Sequence, residues 1–173
     1  LSVLGQEVGH RWGAFARFMD NGAPSAEFLG RDNSHWSYHL DTDGSHLEGN
    51  EIEDLGGGRF RTEPGGVRYS PLDQYLMGYR PPDEVPPFFL VRNPTPATDK
   101  SQGPEAGATF TGTRKDITIG DVIAALGPRR PAAGPRPPWR QAFVYVSVGE
   151  ADDPSRLERV ESAVPVRYEV IRP

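Results

Sequence analysis

Five consecutive residues near the start of the chain have the types and spacing of a metal site: Gln6, Glu7, Val8, Gly9 and His10. In the zinc signature His-Glu-x-x-His, two histidines four residues apart share one helix face and bind one ion, while the glutamate addresses a water molecule. Glu7 and His10 have this spacing, and Gln6 stands where the first histidine is expected. A glutamine amide is an uncommon zinc ligand in sites built from histidine and carboxylate. The motif predicts zinc-dependent hydrolysis with Glu7 as general base, at reduced metal affinity.

The element that must hold this motif is an amphipathic helix over residues 2–19. Leu4, Val8 and Phe15 fall near one stripe of this helix, Gln6 and His10 fall on another, and the Asp-Asn-Gly sequence at 20–22 is a stop signal. Residues 23–66 are rich in Asp, Asn, Gly, Ser and His with little periodicity. That composition predicts a long ordered loop region or short strands, and loops of such length usually serve a function.

The remaining elements are short. In chain order the patterns predict a helix at 71–77 after an N-cap serine and a proline, strands at 88–91 and 110–119, a helix at 121–126, a strand at 142–148, a helix at 154–160 and a strand at 166–170. The predicted fold class is α+β. We assign 1–127 to the catalytic region, 128–138 to a Pro- and Arg-rich loop, and 139–173 to a strand-helix-strand part of the same domain.

Five segments together resemble a group of bacterial, largely uncharacterised zincin-like metalloproteins, whose first motif commonly reads Leu-Gly-His-Glu. They are residues 4–12 (LGQEVGHRW), 35–37 (HWS), 47–50 (LEGN), 69–78 (YSPLDQYLMG) and 111–118 (TGTRKDIT). The resemblance covers most of residues 1–148 and implies a zinc-dependent peptidase with a zincin-like active-site helix followed by a long polar loop. The sequence departs from the group at the position of the first histidine. In zincins the sheet that lines the cleft normally precedes the helix, so we expect this chain to be a piece of a longer protein.

A third protein ligand is needed, because catalytic zinc generally has three protein donors and one water. The candidates are His35, His39, Asp41, His46 and Glu48. The resemblance favours His35, since it places a His-Trp pair there. Glu48 is the alternative, by analogy with zincins whose third ligand is a downstream glutamate.

Three residues of the 71–77 segment are candidates for supporting roles. Asp73 and Tyr75 could orient a zinc-bound histidine or stabilise an oxyanion, although a capping aspartate and a core tyrosine explain them equally well. Met77 is compatible with the Met-turn found beneath some zinc sites. The serine and proline that start this segment favour the alternative, in which Met77 ends a helix.

Alternating carboxylates suggest a calcium loop at residues 41–45, where Asp41 and Asp43 precede Gly44. The EF-hand pattern breaks because His46 stands where glycine is required and no glutamate follows at the twelfth position. A tight polar turn is the simpler interpretation. Glu51 and the neighbouring acids are most simply a solvated face.

The length, charge and composition of the chain predict a single globular domain. The chain has 173 residues, a net charge of −5 and no cysteine, so any metal must use nitrogen and oxygen ligands. Mean hydropathy is −0.58 and no apolar run is long enough for a membrane span. The basic residues are scattered, which argues against a nucleic-acid partner. A peptide or protein substrate and a secreted or cell-surface location are the expectations.

Three functions are compatible with these patterns. The first is a zinc endopeptidase in which His10 and His35, with Gln6 or a substitute, hold the metal and Glu7 is the base. The second is a metal-poor pseudoenzyme retained as a binding or structural module. The third is a calcium-stabilised adhesion module.

Overall fold

The computed structural model describes residues 2–66 and 68–134 together with the single residue Glu158. The chain divides into two compact units, Leu1–Arg136 and Pro137–Pro173. Glu158 is helical. Otherwise the predicted elements at 142–148, 154–160 and 166–170 lie outside the described residues.

The first unit is mostly β-structure with three short helices. In chain order its elements are α1 (Ser2–Gly9), β1 (Phe18–Asp20), β2 (Ala23–Ser25), β3 (Trp36–Asp41), β4 (Glu48–Gly56), β5 (Arg59–Glu63), α2 (Pro71–Met77), β6 (Phe88–Thr95), β7 (Thr109–Ile117) and α3 (Ile119–Leu126), with single 3-10 turns at Arg31–Asn33 and Pro82–Glu84.

Five strands close into a small barrel in the order β3-β4-β5-β7-β6, and β1 and β2 form a separate hairpin. The β3–β4 pair is parallel, whereas every other neighbouring pair in the barrel is antiparallel. Closure leaves no edge strand in the barrel. Some backbone groups of β3 have partners outside it, since the Ser37 and Tyr38 amides donate to the carbonyls of Phe28 and Lys100.

Two apolar clusters stabilise the barrel, one inside it and one between the barrel and the other elements. All five strands contribute to the inner cluster of Tyr38, Ile52, Phe60, Phe89, Val91 and Phe110. The outer cluster joins Trp36 and Leu40 of β3 to Phe18, Leu72 and Val122 of the surrounding elements. Because successive side chains of a strand point to opposite faces, β3 is buried on both sides. The segment that follows His35 is therefore held on both faces.

The predicted helix over 2–19 is wrong in length: α1 ends at Gly9, and a strand begins at Phe18. The apolar stripe that suggested the longer helix is largely at the surface, with Leu4 41% and Phe15 51% exposed. Ala14 has a positive φ of 58°, which reverses the chain direction.

The packed face of the α1 segment is made of glycines instead. A Cβ atom built on Gly5 would lie 2.8 Å from the His46 ring, and one on Gly9 would lie 3.0 Å from Tyr69. At Gly13, in the turn after α1, it would meet Leu47 at 2.2 Å. These three residues, which we call the glycine face, let the helix backbone approach the 46–47 turn more closely than any side chain would allow.

The zincin-like layout is also wrong, because most of the predicted loop region 23–66 is β-structure. It forms β2 to β5, and three of the five barrel strands, β3, β4 and β5, lie within it. The Asp-Asn-Gly sequence at 20–22 is a hairpin turn rather than a helix stop: Asn21 and Gly22 have positive φ angles of 47° and 85°. The part of the chain that the structure describes contains no long active-site helix.

The two later helices lie close to their predicted positions. Helix α2 runs from Pro71 to Met77 with a capping box between Ser70 and Asp73, and Gly78 ends it in a left-handed conformation. Helix α3 begins two residues before its predicted start, because Thr118 is the residue that caps it. Within the described ranges, no helix is long and apolar enough to cross a membrane.

Candidate metal centre

The motif residues lie where α1 meets the barrel. The His10 amide donates a hydrogen bond to the Gln6 carbonyl at 3.0 Å, so the two side chains emerge one helical turn apart. The Tyr69 hydroxyl donates to the Gly5 carbonyl at 2.6 Å, which ties this turn to the segment before α2. Glu7 is exposed to solvent, and Gln6 is half-buried.

Two histidines distant in sequence come together beside α1. The rings of His10 and His35 are 4.7 Å apart between centroids and nearly perpendicular. Glu48 lies next to them, with its Oε1 3.9 Å from His35 Nε2. The Arg31 side chain lies between His35 and Glu48. One of its guanidinium nitrogens is 3.0 Å from His35 Nε2 and 2.5 Å from Glu48 Oε1. A cation thus already sits between an imidazole and a carboxylate.

Hydrogen bonds fix the tautomer of His35. Its Nδ1 lies 3.1 Å from the Arg31 carbonyl oxygen and therefore carries the proton that it donates there. The lone pair of Nε2 then accepts from the Arg31 guanidinium. Metal-binding histidines are oriented by the same bond to a carbonyl. His35 is 6% exposed, so this orientation is held by burial as well.

Two polar atoms at the site are buried without a hydrogen-bond partner among the described residues, His10 Nδ1 and Glu48 Oε2. Burial lowers the pKa of His10, and the nearby His35 lowers it further, while the Glu7 carboxylate raises it. A neutral imidazole is the form that binds metals. Each of the two residues therefore has an atom that could bind a metal ion.

A buried carboxylate in α2 holds the two barrel segments that carry these donors. Asp73 is fully buried and accepts hydrogen bonds from Trp36 Nε1 at 2.8 Å, from the Ser45 hydroxyl at 2.6 Å and from the Ser70 amide at 2.8 Å. Burial raises the pKa of Asp73, against the three hydrogen bonds, which lower it. Trp36 follows His35 in the chain, and Ser45 starts the turn that leads into β4. Asp73 thus positions the site through its neighbours, without touching a histidine in the described contacts.

The other proposed residues have separate surroundings. His39 is buried in the barrel wall with its ring 5.7 Å from Phe110. His46 packs on Tyr69, with ring centroids 5.0 Å apart. The Tyr75 hydroxyl accepts a hydrogen bond from the Arg129 amide, and Met77 is the last residue of α2.

A second group of donors lies at the end of β3. In the described part of the chain, only Asp41, Asp43 and Glu51 bring three ligand atoms within 4.8 Å of one another. The set of His10, His35 and Glu48 is more widely spaced than this limit. Burial, together with the nearby Asp43 and Glu51 carboxylates, raises the pKa of Asp41 to about 6.

Sequence reasoning missed two participants, Arg31 and Glu51. Arg31 lies in a 3-10 turn, and nothing in its local sequence indicates that its side chain points toward Glu48, seventeen residues away. Glu51 joins Asp41 because β3 and β4 pair with Asp41 opposite Asn50. The proximity of Glu51 to Asp41 could have been predicted only from the register of β3 and β4.

The raised pKa of Asp41 predicts a pH-dependent stability in the absence of metal. Between its unfolded value near 3.8 and its folded value near 6, the folded state retains a proton that the unfolded state releases. This contribution to the free energy of unfolding is therefore complete below about pH 4 and is lost as the pH rises through 6. We expect Asp41→Asn to remove this dependence and to stabilise the protein at pH 7 by ~1–2 kcal/mol.

Urea unfolding between pH 4 and 8 in the presence of a chelator measures this difference. Asp83→Asn, at an exposed turn, is the matched control and should leave the profile unchanged. A stability difference between Asp41→Asn and the unmodified protein that does not vary with pH would contradict the prediction.

Comparison of the chain with protein-family models, with curated proteins and with solved structures found no match.

Proposed function

We propose that the chain binds zinc beside α1 with His10, His35 and Glu48 and hydrolyses peptide bonds with Glu7 as general base. One observation carries the proposal: His35 Nε2 and Glu48 Oε1 hold a single guanidinium nitrogen between them, next to the His10 ring. Imidazole nitrogen and carboxylate oxygen are the donors of catalytic zinc sites. The resemblance to zincin-like metalloproteins supports the same metal.

The residues present supply the donor types of a zinc site, but their ligand atoms do not all lie within 4.8 Å of one another and must move closer to bind one ion. The His35 tautomer presents Nε2, Glu48 Oε1 already faces a cation, and His10 Nδ1 is buried with no hydrogen-bond partner among the described residues. Binding requires Arg31 to leave. Its side chain is 47% exposed, so solvent can receive it. A divalent ion would replace one positive charge by two beside Glu48.

The reaction divides between the metal and the chain. Bound zinc supplies Lewis acidity, which polarises the scissile carbonyl and lowers the pKa of water to about 7. Glu7 precedes His10 by three residues on the same helical segment and is exposed, so substrate and water can both reach it. Its carboxylate accepts the proton of the attacking water and delivers it to the leaving amine. The burial of His35 and the backbone of α1 hold Glu7 and the proposed ligands in fixed positions relative to one another.

Arg31 favours a second candidate, a metal-poor binding module with the same structure. In that case the guanidinium remains as the permanent cation of the site, and Gln6 has no metal to bind. The two candidates differ in one measurable quantity, which is the zinc affinity of the unmodified chain.

The carboxylates at the end of β3 favour a calcium-stabilised module as a third candidate. Oxygen ligands from Asp41, Asp43 and Glu51 suit calcium, and their mutual repulsion would be relieved by a cation. A calcium-induced rise of the thermal midpoint that Asp41→Asn abolishes would support it.

We expect Arg31→Gln to raise zinc affinity about tenfold, because it removes a positive charge from the position that the metal must take. Arg61→Gln is the matched control: it removes a charge that is paired with Glu53 and Glu63 on the barrel surface and should not alter affinity. Zinc binding is measured by competition with a chromophoric chelator. His35→Ala should abolish the high-affinity phase.

Cleavage of a peptide library completes the test. Zinc-dependent cleavage should disappear in Glu7→Gln while zinc affinity is retained, because Glu7 is a base and not a ligand. If the unmodified chain and Arg31→Gln both fail to bind zinc, the peptidase proposal is wrong.

A further inference from the structure

A cavity of about 490 Å³ opens beside the metal centre. Gln6 of α1 and Glu48 of β4 belong both to its wall and to the surroundings of the candidate site. This volume falls in the range of pockets that hold small ligands or substrate side chains. An occupant of this space would therefore lie next to the groups that act on a peptide bond.

The charged side chains that line this cavity are all acidic, although two of them are paired with arginines outside the lining, Glu48 with Arg31 and Glu63 with Arg61. Four of the residues that line it are carboxylates, Glu48, Glu51, Glu63 and Glu105, and no lysine or arginine is found among its lining residues in the described ranges. Burial raises the pKa of Glu51, and the Asp43 and Glu63 carboxylates raise it further, while Arg68 lowers it. We call this space the acidic cavity.

The inner wall of the acidic cavity is rigid. The Asn50 side chain is buried, donates to the Tyr38 carbonyl at 2.7 Å and accepts from the Glu105 amide at 3.0 Å. These two bonds connect β4 to β3 and to the 104–106 segment, so they fix the positions of Glu51 and Glu105 relative to each other. A preformed wall lowers the entropic cost of binding.

Two wall residues carry buried polar atoms that have no partner in the described part of the chain, Glu48 Oε2 and His46 Nδ1. An unsatisfied buried acceptor costs about 1–3 kcal/mol, so a ligand that donates hydrogen bonds gains from meeting it. Ammonium and guanidinium groups have three and five N–H donors, respectively, and a positive charge. These groups match the charge of the acidic cavity and the unused acceptor Glu48 Oε2.

We propose that the acidic cavity binds the lysine or arginine side chain of a peptide substrate, an inference that rests on the peptidase function proposed above. The cationic head lies among Glu48, Glu51 and Glu105, and the apolar stem runs past Val3 and Ala106 at the cavity wall. The basic residue of the substrate thereby places the adjacent peptide bond beside Glu7.

The test compares two peptides that differ only in lysine against norleucine, which has the same stem without the charge. Their binding to the whole chain is measured by fluorescence polarisation with a chelator present, so that zinc-dependent turnover does not interfere. We expect the lysine peptide to bind about fivefold to tenfold tighter, with a difference that shrinks at high salt. Glu51→Gln and Glu105→Gln should each reduce the preference about threefold.

Glu53→Gln is the matched control, because it removes the same charge from the same strand at a position outside the acidic cavity. Equal affinity for the two peptides, no measurable binding of either, or an equal loss in Glu51→Gln and Glu53→Gln would overturn the proposal. A lysine preference in a chain that fails to bind zinc would reject the peptidase function alone. Zinc binding without a lysine preference would reject the cavity assignment alone.

Discussion

Gln6→His is expected to raise the zinc affinity of the chain by about 100-fold, the largest gain of any single substitution considered for the site. Residue 6 lies one helical turn before His10, so an imidazole there projects from the same face as the His10 ring. The new imidazole adds a basic nitrogen beside the three proposed ligands, and zinc prefers such a donor to an amide oxygen. Isothermal titration at pH 7 measures the change.

Leu4→His is the control for a histidine added elsewhere on α1, since Leu4 is 41% exposed and lies outside the motif. Zinc-dependent peptide cleavage should increase in Gln6→His and vanish again in the Gln6→His, Glu7→Gln double variant. Equal zinc affinity in Gln6→His and Leu4→His would mean that residues 6 and 10 of the α1 segment do not form a metal-binding face.

Removing the Asp73 carboxylate is expected to have the largest effect on stability. Asp73→Ala leaves three buried donors without an acceptor, on Trp36, Ser45 and Ser70, and creates a cavity beside them. The expected loss is ~3–5 kcal/mol of the free energy of unfolding. Asp73→Asn retains one acceptor and should lose about half as much. Urea unfolding with two spectroscopic probes measures both values.

Helix α3 supplies the matched control. Asp121 forms the same capping box with Thr118, but it is only half-buried. Among the described hydrogen bonds, its side chain accepts none from a tryptophan or from a serine distant in sequence. Asp121→Ala should therefore cost only ~1 kcal/mol. An equal cost for Asp73→Ala and Asp121→Ala would show that Asp73 caps a helix and does nothing more.

The local parts of the fold could be predicted from sequence. The Ser70-Pro71 start and the Gly78 stop of α2 depend on residues within one helical turn, and the structure places the helix where they indicate. The same holds for α3, apart from the two residues that Thr118 adds. Capping and turn chemistry act over a few residues, so no knowledge of the rest of the chain is needed.

Packing decided the elements that were predicted wrongly. The 2–19 segment has an apolar stripe, yet the face that packs is the glycine face, which carries no hydrophobic signal. Barrel closure and the parallel β3–β4 pair depend on contacts between distant segments. The same limit applies to the site: the motif indicates His10 and Glu7, while the approach of His35 and the position of Arg31 follow from tertiary structure alone.

The glycine face has a further consequence for how the chain can vary over evolutionary time. A side chain added at Gly5, Gly9 or Gly13 would have to displace the side chain of His46, Tyr69 or Leu47, so substitution at these positions is disfavoured. Gln6 is half-buried at the cavity wall and can change without moving the helix. A single base separates the codons of glutamine and histidine. In the proposed zinc site, one point mutation would therefore exchange a weak ligand for a strong one in a scaffold that is otherwise preserved.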